Sequence, residues 1–368
     1  MRVGLIHYGL DRRLGGIGRY SEFLLEALRA RQLSITVLGA GRAGEHSGSV
    51  SLPGARLLPG LMTFGQLGIG RAIRHHRLDL VHDPLGVAPL MLAGSGRVTT
   101  IHDVVPYTCP ETSAQLDRLI YHFWLPIIVR RIDAIITASQ QSKADIVKHL
   151  AIAEEKVTII PLAAGRRYRP MPDNEIYPTL ARYGLDFPYI LYVGSLTPRK
   201  NLPRLLEAYW QLRQWSAERH LVIVGARKSR SSPVFTTVQQ LGLREVVHFT
   251  GFAEEEDLPS LYNGADLFVF PSLYEGFGLP VLEAMACGTP VVTSNTTSLP
   301  EVAGDAALLV DPYNVEGIAA AMRCVLEDQH LARVLRARGL ARAAEFSWER
   351  TARETVKVYQ KVLRCSDQ

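Results

Sequence analysis

Nowhere in this 368-residue sequence is there an uninterrupted apolar run of about 18 residues, so no segment reads as a membrane-spanning helix. Cysteine is scarce, and Cys109, Cys287, Cys324 and Cys365 are scattered without paired spacing. That pattern excludes a disulfide framework and a zinc ligand set, and it points to a reducing compartment, the cytosol by default. Residues Met1–His7 lack the long apolar core and small-residue cleavage site of a secretory signal and read as a first buried strand. No Asp-x-Asp motif falls at a strand end, so no metal site is expected. Low-complexity tracts and short repeats are missing as well.

What is present is a globular composition, 47% apolar and 21% charged, in a chain long enough for two domains with separate cores. The net charge of +5 is unevenly divided. Residues 1–170 carry 21 Lys and Arg against 13 Asp and Glu, whereas residues 171–368 carry 20 against 23. A basic half is often a docking surface for an anionic partner.

Short β-rich runs alternate with longer amphipathic stretches, the pattern of a parallel α/β architecture. Strands are expected at Val3–His7, Ile35–Leu38, Leu80–His82, Val98–Ile101, Ala134–Thr137 and Val157–Ile160, with helices at Gly18–Ala30, Ala114–Arg131 and Ser139–Leu150. Periodicity stops across Tyr168–Pro188, where four prolines occur. It then restarts with strands at Tyr189–Val193, Leu221–Val224, Val246–Phe249, Leu267–Phe270, Pro290–Thr293 and Ala307–Leu309. Helices are expected at Leu202–Trp215, Leu279–Cys287, Val315–Leu326, Leu331–Ala344 and Ser347–Leu363. The fold class is therefore α/β, with two doubly wound, Rossmann-like domains over 1–170 and 189–345, a linker at 171–188 and a closing helix within 346–368. In such folds ligands bind at the carboxyl ends of the strands, here in a cleft between the two domains.

The most specific stretch runs from Phe270 to Pro290 and contains Glu275-Gly276-Phe277-Gly278-Leu279-Pro280 followed by Glu283. It leaves a buried strand and opens a helix. Its glycines permit close backbone approach, and the helix N-terminus offers N–H groups and a dipole to a diphosphate. Glu275 lies before the helix and Glu283 about one turn inside it, so the two carboxylates can accept hydroxyl protons at different parts of one extended ligand. Taken singly, each residue fits a plain helix start equally well; the whole stretch is far more specific. A second strand end, Val193–Asn201, carries Arg199 and Lys200, a cation pair suited to a diphosphate or, failing that, to a solvated turn. A third, Arg13–Tyr20, holds Gly15 and Gly16. Its Gly-Gly-x-Gly spacing and long preceding loop do not match a dinucleotide fingerprint, and a glycine loop closing over a phosphate fits better than a ligand-free loop. His102-Asp103 and His82-Asp83 each stand at a strand end; on the residues alone a structural histidine is favoured at both.

These four motifs, in this order, resemble glycosyltransferase family 4, retaining enzymes of GT-B architecture, over nearly the whole chain. Phe346-Ser-Trp348-Glu-Arg matches the start of the family's final helix, which crosses back onto the N-terminal domain. The resemblance implies that Glu275 and the backbone of Phe277 and Gly278 hold the transferred sugar. The Gly278 and Leu279 amides, Arg199 and Lys200 hold the diphosphate, Glu283 the ribose and Phe252 the base, while Gly15 and Gly16 approach from the other domain. It also lifts His102 to the family's active-site histidine and requires no metal or other cofactor. The wording around Ser195–Leu202 and Leu273–Pro280 looks most like members using GDP-mannose, although UDP- and ADP-sugar users share nearly the same residues.

The expected function is transfer of a hexose to a saccharide or lipid-linked saccharide acceptor in polysaccharide or glycoconjugate assembly, on a cytoplasmic enzyme that touches the membrane through its basic half. Two basic, apolar stretches suggest that contact, Leu57–Arg77 and Arg118–Arg131, and each also fits an ordinary helix with one buried face. Nucleic acid is not an expected partner. The competing readings are another nucleotide-sugar GT-B enzyme, such as an epimerase, and a catalytically silent nucleotide-sugar-binding protein.

Overall fold

A computed structural model of the chain describes residues 1–7, 15–39, 50–52, 64–86, 94–113, 115–215, 218–225 and 233–366. The chain divides into two compact units, one comprising Met1–Leu162 with Ser347–Gln368, the other Ala163–Phe346.

The first unit is built on a parallel sheet of strands β1 (Arg2–His7), β2 (Ser34–Gly39), β3 (Val50–Ser51), β4 (Leu80–Asp83), β5 (Gly96–Thr100), β6 (Ala134–Thr137) and β7 (Val157–Ile159), in the spatial order β3-β2-β1-β4-β5-β6-β7. The second has β8 (Tyr189–Val193), β9 (His220–Val224), β10 (Val247–Gly251), β11 (Leu267–Phe270), β12 (Val291–Ser294) and β13 (Leu308–Val310), ordered β10-β9-β8-β11-β12-β13. All the pairings are parallel. Parallel strands are covered on both faces, which is why they read as continuous apolar runs: all five residues of Tyr189-Ile-Leu-Tyr-Val are buried. In both sheets the order reverses beside the unit's first strand, between β1 and β4 and between β8 and β11. The carboxyl ends at such a reversal are where doubly wound folds bind ligands.

The expected strands are present to within two residues at each end, and the two-residue β3 was not expected. The linker reading of 171–188 is corrected. This segment carries the helix Asp173–Arg182 and lies inside the second unit. Ile176, Thr179 and Leu180 are buried, Arg182 pairs with Asp257 at 2.6 Å, and the Met171 amide donates to Asn263. Pro172 caps the helix and Pro178 sits within it, so prolines that read as a break are absorbed by a short amphipathic helix. The expected helix Ala114–Arg131 is also interrupted: Gln115–Leu119 and Leu125–Arg131 are α-helical, but Ile120–Trp124 is a π-helical turn. The final helix, Trp348–Ser366, belongs to the first unit and packs on β5 and the helix Gly15–Ala30.

Candidate functional site

In the second unit the loops leaving β8 and β11 meet at the point of reversal. The loop after β8 forms the short 3-10 turn Pro198–Lys200 and passes through Asn201, whose φ of 61° is a left-handed conformation that asparagine tolerates. The Asn201 amide donates to the carbonyls of Pro271 (3.0 Å) and Pro312 (2.6 Å). The Leu273 amide donates to the Arg199 carbonyl at 2.8 Å, and Arg199 Nη1 to the Tyr274 carbonyl at 2.9 Å.

This lacing brings three of the expected side chains together. Glu275 Oε1 lies 2.5 Å from Lys200 Nζ, and Oε2 lies 3.0 Å from Arg199 Nη1. Lys200 Nζ also sits 4.5 Å from the centre of the Phe270 ring. Glu275 and Lys200 are buried, and Arg199 keeps about a fifth of its side chain exposed. Burial by itself would raise the Glu275 carboxyl, but the two cations outweigh it and bring the pKa down to about 2. The cluster therefore presents two cations and one anion on two loops that are hydrogen-bonded to each other.

Beyond Glu275, Gly278 has φ 105°, and a Cβ there would lie 2.6 Å from Leu299 Cδ2. Glycine is thus required twice over, by backbone conformation and by space. It caps the helix Leu279–Cys287, which has no side-chain cap and no acidic residue in its first turn, so the N-terminal dipole is left available to an anion. Thr297 and Ser298 brace the loop from the far side. The Glu275 amide donates to Thr297 Oγ1 at 3.2 Å, and Ser298 Oγ lies 2.9 Å from the carbonyl oxygens of both Glu275 and Phe277. The Phe277 ring is buried edge-on to Phe346, so its backbone rather than its ring serves the loop.

Glu283 does not join the ion-pair cluster. It is fully buried and accepts a 3.0 Å hydrogen bond from Tyr262. Phe252 follows Gly251 at the end of β10 and is 42% exposed.

In the first unit, His102 stands just past β5, with Nε2 3.0 Å from the Pro84 carbonyl and the Tyr20 ring edge-on at 4.7 Å. Burial, opposed by Pro84 and Asp103, leaves its pKa below the ordinary value. His82 is structural: fully buried within β4, with a pKa lowered to about 3, first by desolvation and then by His102. Gly15 and Gly16 form the first turn of the helix Gly15–Ala30, which opens within the glycine motif. Arg13 of that motif lies outside the described residues, as do Leu58, Leu61 and Met62 of the basic stretch. Among the described residues, no group of three or more His, Cys, Asp or Glu side chains could hold a metal ion, and no helix is long and apolar enough to cross a membrane.

Sequence reasoning missed Thr297, Ser298 and the role of Asn201. Only Asn201 carried a signal, since asparagine beside a helix start is a common left-handed residue.

The chain is similar to known proteins along most of its length. The Glycosyltransferase Family 4 model matches residues 14–164, and the model for group 1 glycosyl transferases matches residues 182–342. O-antigen chain mannosyltransferase B of Escherichia coli is 38% identical over 292 residues, 78% of this chain and 76% of that protein. MMP alpha-(1->4)-mannosyltransferase of Mycolicibacterium hassiacum is 31% identical over 314 residues, 79% of this chain and 72% of that one. Among solved structures, sucrose-phosphate synthase of Thermosynechococcus elongatus matches with a TM-score of 0.82 at 24% identity, covering 99% of this chain and 100% of the other, a likeness of fold. With both halves matched and the Escherichia coli relative aligned over 76% of its length, this chain belongs to glycosyltransferase family 4 and has the GT-B fold.

Proposed function

We propose that this glycosyltransferase moves a hexose, mannose from GDP-mannose in the first instance, onto a saccharide or lipid-linked saccharide, with retention of anomeric configuration and without a metal ion. The observation that carries the reading is the cluster of Arg199, Lys200 and Glu275 at the carboxyl ends of β8 and β11, beside the uncapped N-terminus of Leu279–Cys287. Mannose is favoured because the relatives at 38% and 31% identity are named mannosyltransferases.

In this reading the diphosphate rests on Arg199, Lys200 and the Gly278 and Leu279 amides, and the two cations stabilise the charge that grows on it as it leaves. Glu275 and the Phe277–Gly278 backbone hold the sugar, Glu283 the ribose, Phe252 the base, and Gly15 and Gly16 approach the diphosphate. His102, neutral, hydrogen-bonds a sugar hydroxyl. The acceptor hydroxyl attacks the anomeric carbon from the side of the leaving group. As the new C–O bond forms and the bond to the nucleotide breaks, the hydroxyl proton passes to the departing diphosphate.

Lipid-linked acceptors bring the enzyme to a membrane surface on the inner face. This is supported by Leu116, Leu119, Phe123 and Ile127, each 48–69% exposed at helical spacing and flanked by exposed Arg118, Arg130 and Arg131. Co-sedimentation with phosphatidylglycerol vesicles at low salt is expected, weakened by Phe123→Ser; no binding overturns the membrane part alone.

A transfer assay across GDP-, UDP- and ADP-sugars, with EDTA and with NMR of the product anomer, tests the rest. Transfer from GDP-mannose with retention, undiminished by EDTA, is the expected result. Inversion or an absolute need for metal contradicts the mechanism, and another preferred donor contradicts the donor.

A further inference from the structure

Behind His102 the first unit contains a continuous line of buried polar side chains that the reaction does not use. Tyr359, on the helix Trp348–Ser366, has its hydroxyl 2.7 Å from His82 Nδ1. His82 Nε2 is 2.9 Å from Thr100 Oγ1, and Thr100 Oγ1 is 2.9 Å from the Tyr20 hydroxyl. Tyr359, His82, Thr100 and Tyr20 are all 0–1% exposed. At the end of the line the Tyr20 ring meets the His102 ring at 83°, with centroids 4.7 Å apart, while its other neighbours include Trp348.

The chemistry of each link limits what the line can do. A neutral imidazole offers one N–H and one lone pair, so His82 donates to one hydroxyl and accepts from the other. Hydroxyls can serve either way, and so every one of these buried groups is satisfied only while the whole line is intact. Losing one member strands a buried polar atom, the costly case for a network. At His102 the carbonyl of Pro84 can only accept, so the hydrogen must sit on Nε2, which leaves Nδ1 as the lone-pair atom of the neutral ring. The plane of that ring is set by the Pro84 contact on one edge and by Tyr20 against its face or edge.

We propose that Tyr359, His82, Thr100 and Tyr20 form a positioning relay that fixes the plane of the His102 ring, making the last helix of the chain a support for the active-site histidine. The inference rests on the reading of His102 as an active-site residue. The four residues touch no substrate; they act through His102.

The test uses the full chain and four variants, Tyr359→Phe, Thr100→Val, Thr100→Ser and His102→Ala. The long-range proton–nitrogen NMR spectrum of the imidazoles reports the setting of the His102 ring without any ligand. Hydrolysis of GDP-mannose reports kcat and KM. Tyr359→Phe and Thr100→Val should move the His102 imidazole signals as the ring reorients, and lower kcat about tenfold. The KM for the donor should change less than kcat, because most of the donor grip lies in the second unit. Thr100→Ser keeps the hydroxyl and should restore both readouts, which a purely packing role for the threonine methyl would not allow. Unchanged His102 signals in both Tyr359→Phe and Thr100→Val overturn the relay, whatever the donor proves to be. If His102→Ala hydrolyses the donor like wild type, the reading of His102 fails instead. A His102→Ala loss with Tyr359→Phe and Thr100→Val at full kcat overturns the relay alone.

Discussion

The two parallel sheets share a strand order but differ in what stands at their carboxyl ends. In the second unit the groups are charged and lock one another: Glu275 is held ionised between Lys200 and Arg199. In the first they are hydroxyls and imidazoles joined by hydrogen bonds, and burial lowers the pKa of both His82 and His102. Bulk charge points the other way. The net-basic half of the sequence supplies Tyr20, His82, Thr100 and His102, and the net-acidic half supplies the cation pair. Net charge thus describes the surface a unit shows to partners, whereas the charge at a site is decided by which two or three side chains a strand end places side by side.

This contrast can be broken most forcefully at Lys200. Lys200→Ala leaves a buried carboxylate with one cation fewer and, in the proposed reading, removes a positive charge from beside the diphosphate. Transfer should fall by about a hundredfold or more, and urea unfolding should show a loss of about 3 kcal/mol. Near-wild-type values for both would mean that the ion-pair cluster is incidental. Next in size, Gly278→Ala forces an L side chain into φ 105° and against Leu299. A loss of about 1–3 kcal/mol in unfolding free energy is expected, together with weaker nucleotide binding; a neutral result would show that the loop relaxes freely.

Acid should separate the two units by window. His82 titrates near 6.5 when unfolded and near 3 when folded, so between those values the unfolded chain binds a proton that the folded one does not. Its contribution is full above pH 6.5 and declines as pH falls, by up to about 1.4 kcal/mol per pH unit, with His102 shifted in the same direction. The Glu275 contribution is full above about pH 4.5 and is lost as pH drops toward 2. Unfolding measured from pH 7 to pH 5 should already show the histidine effect, and a flat profile there would contradict a buried neutral His82. The smallest expected effect is at Phe252, which is exposed. Phe252→Ala should raise the donor KM about tenfold through lost base stacking, with stability changed by less than about 0.5 kcal/mol.

Much of this was legible in the sequence, and for a physical reason. Strands buried on both faces leave unbroken apolar runs, so β6, β8 and β11 were placed to the residue. Arg199, Lys200 and Glu275 were legible because each follows such a strand. The helix Asp173–Arg182 was hidden by its own prolines, and the π-turn at Ile120–Trp124 by a periodicity too close to that of an α-helix. Ser298 and Asn201 act across 23 and 111 residues of sequence, and nothing local marks a hydroxyl or amide that will brace a distant loop. The line from Tyr359 to Tyr20 is the same case at greater length, with Tyr359 and His82 separated by 277 positions in sequence.

Calorimetric titration of GDP, UDP and ADP into the wild-type chain and into Lys200→Ala and Arg199→Ala tests the central claim most directly, because a diphosphate is common to all three ligands. At least one nucleotide should bind the wild type and lose tenfold or more in affinity in each variant, about 1.4 kcal/mol. Equal affinities across the three proteins would contradict the claim that this cation pair, set against Glu275, is what grips the donor.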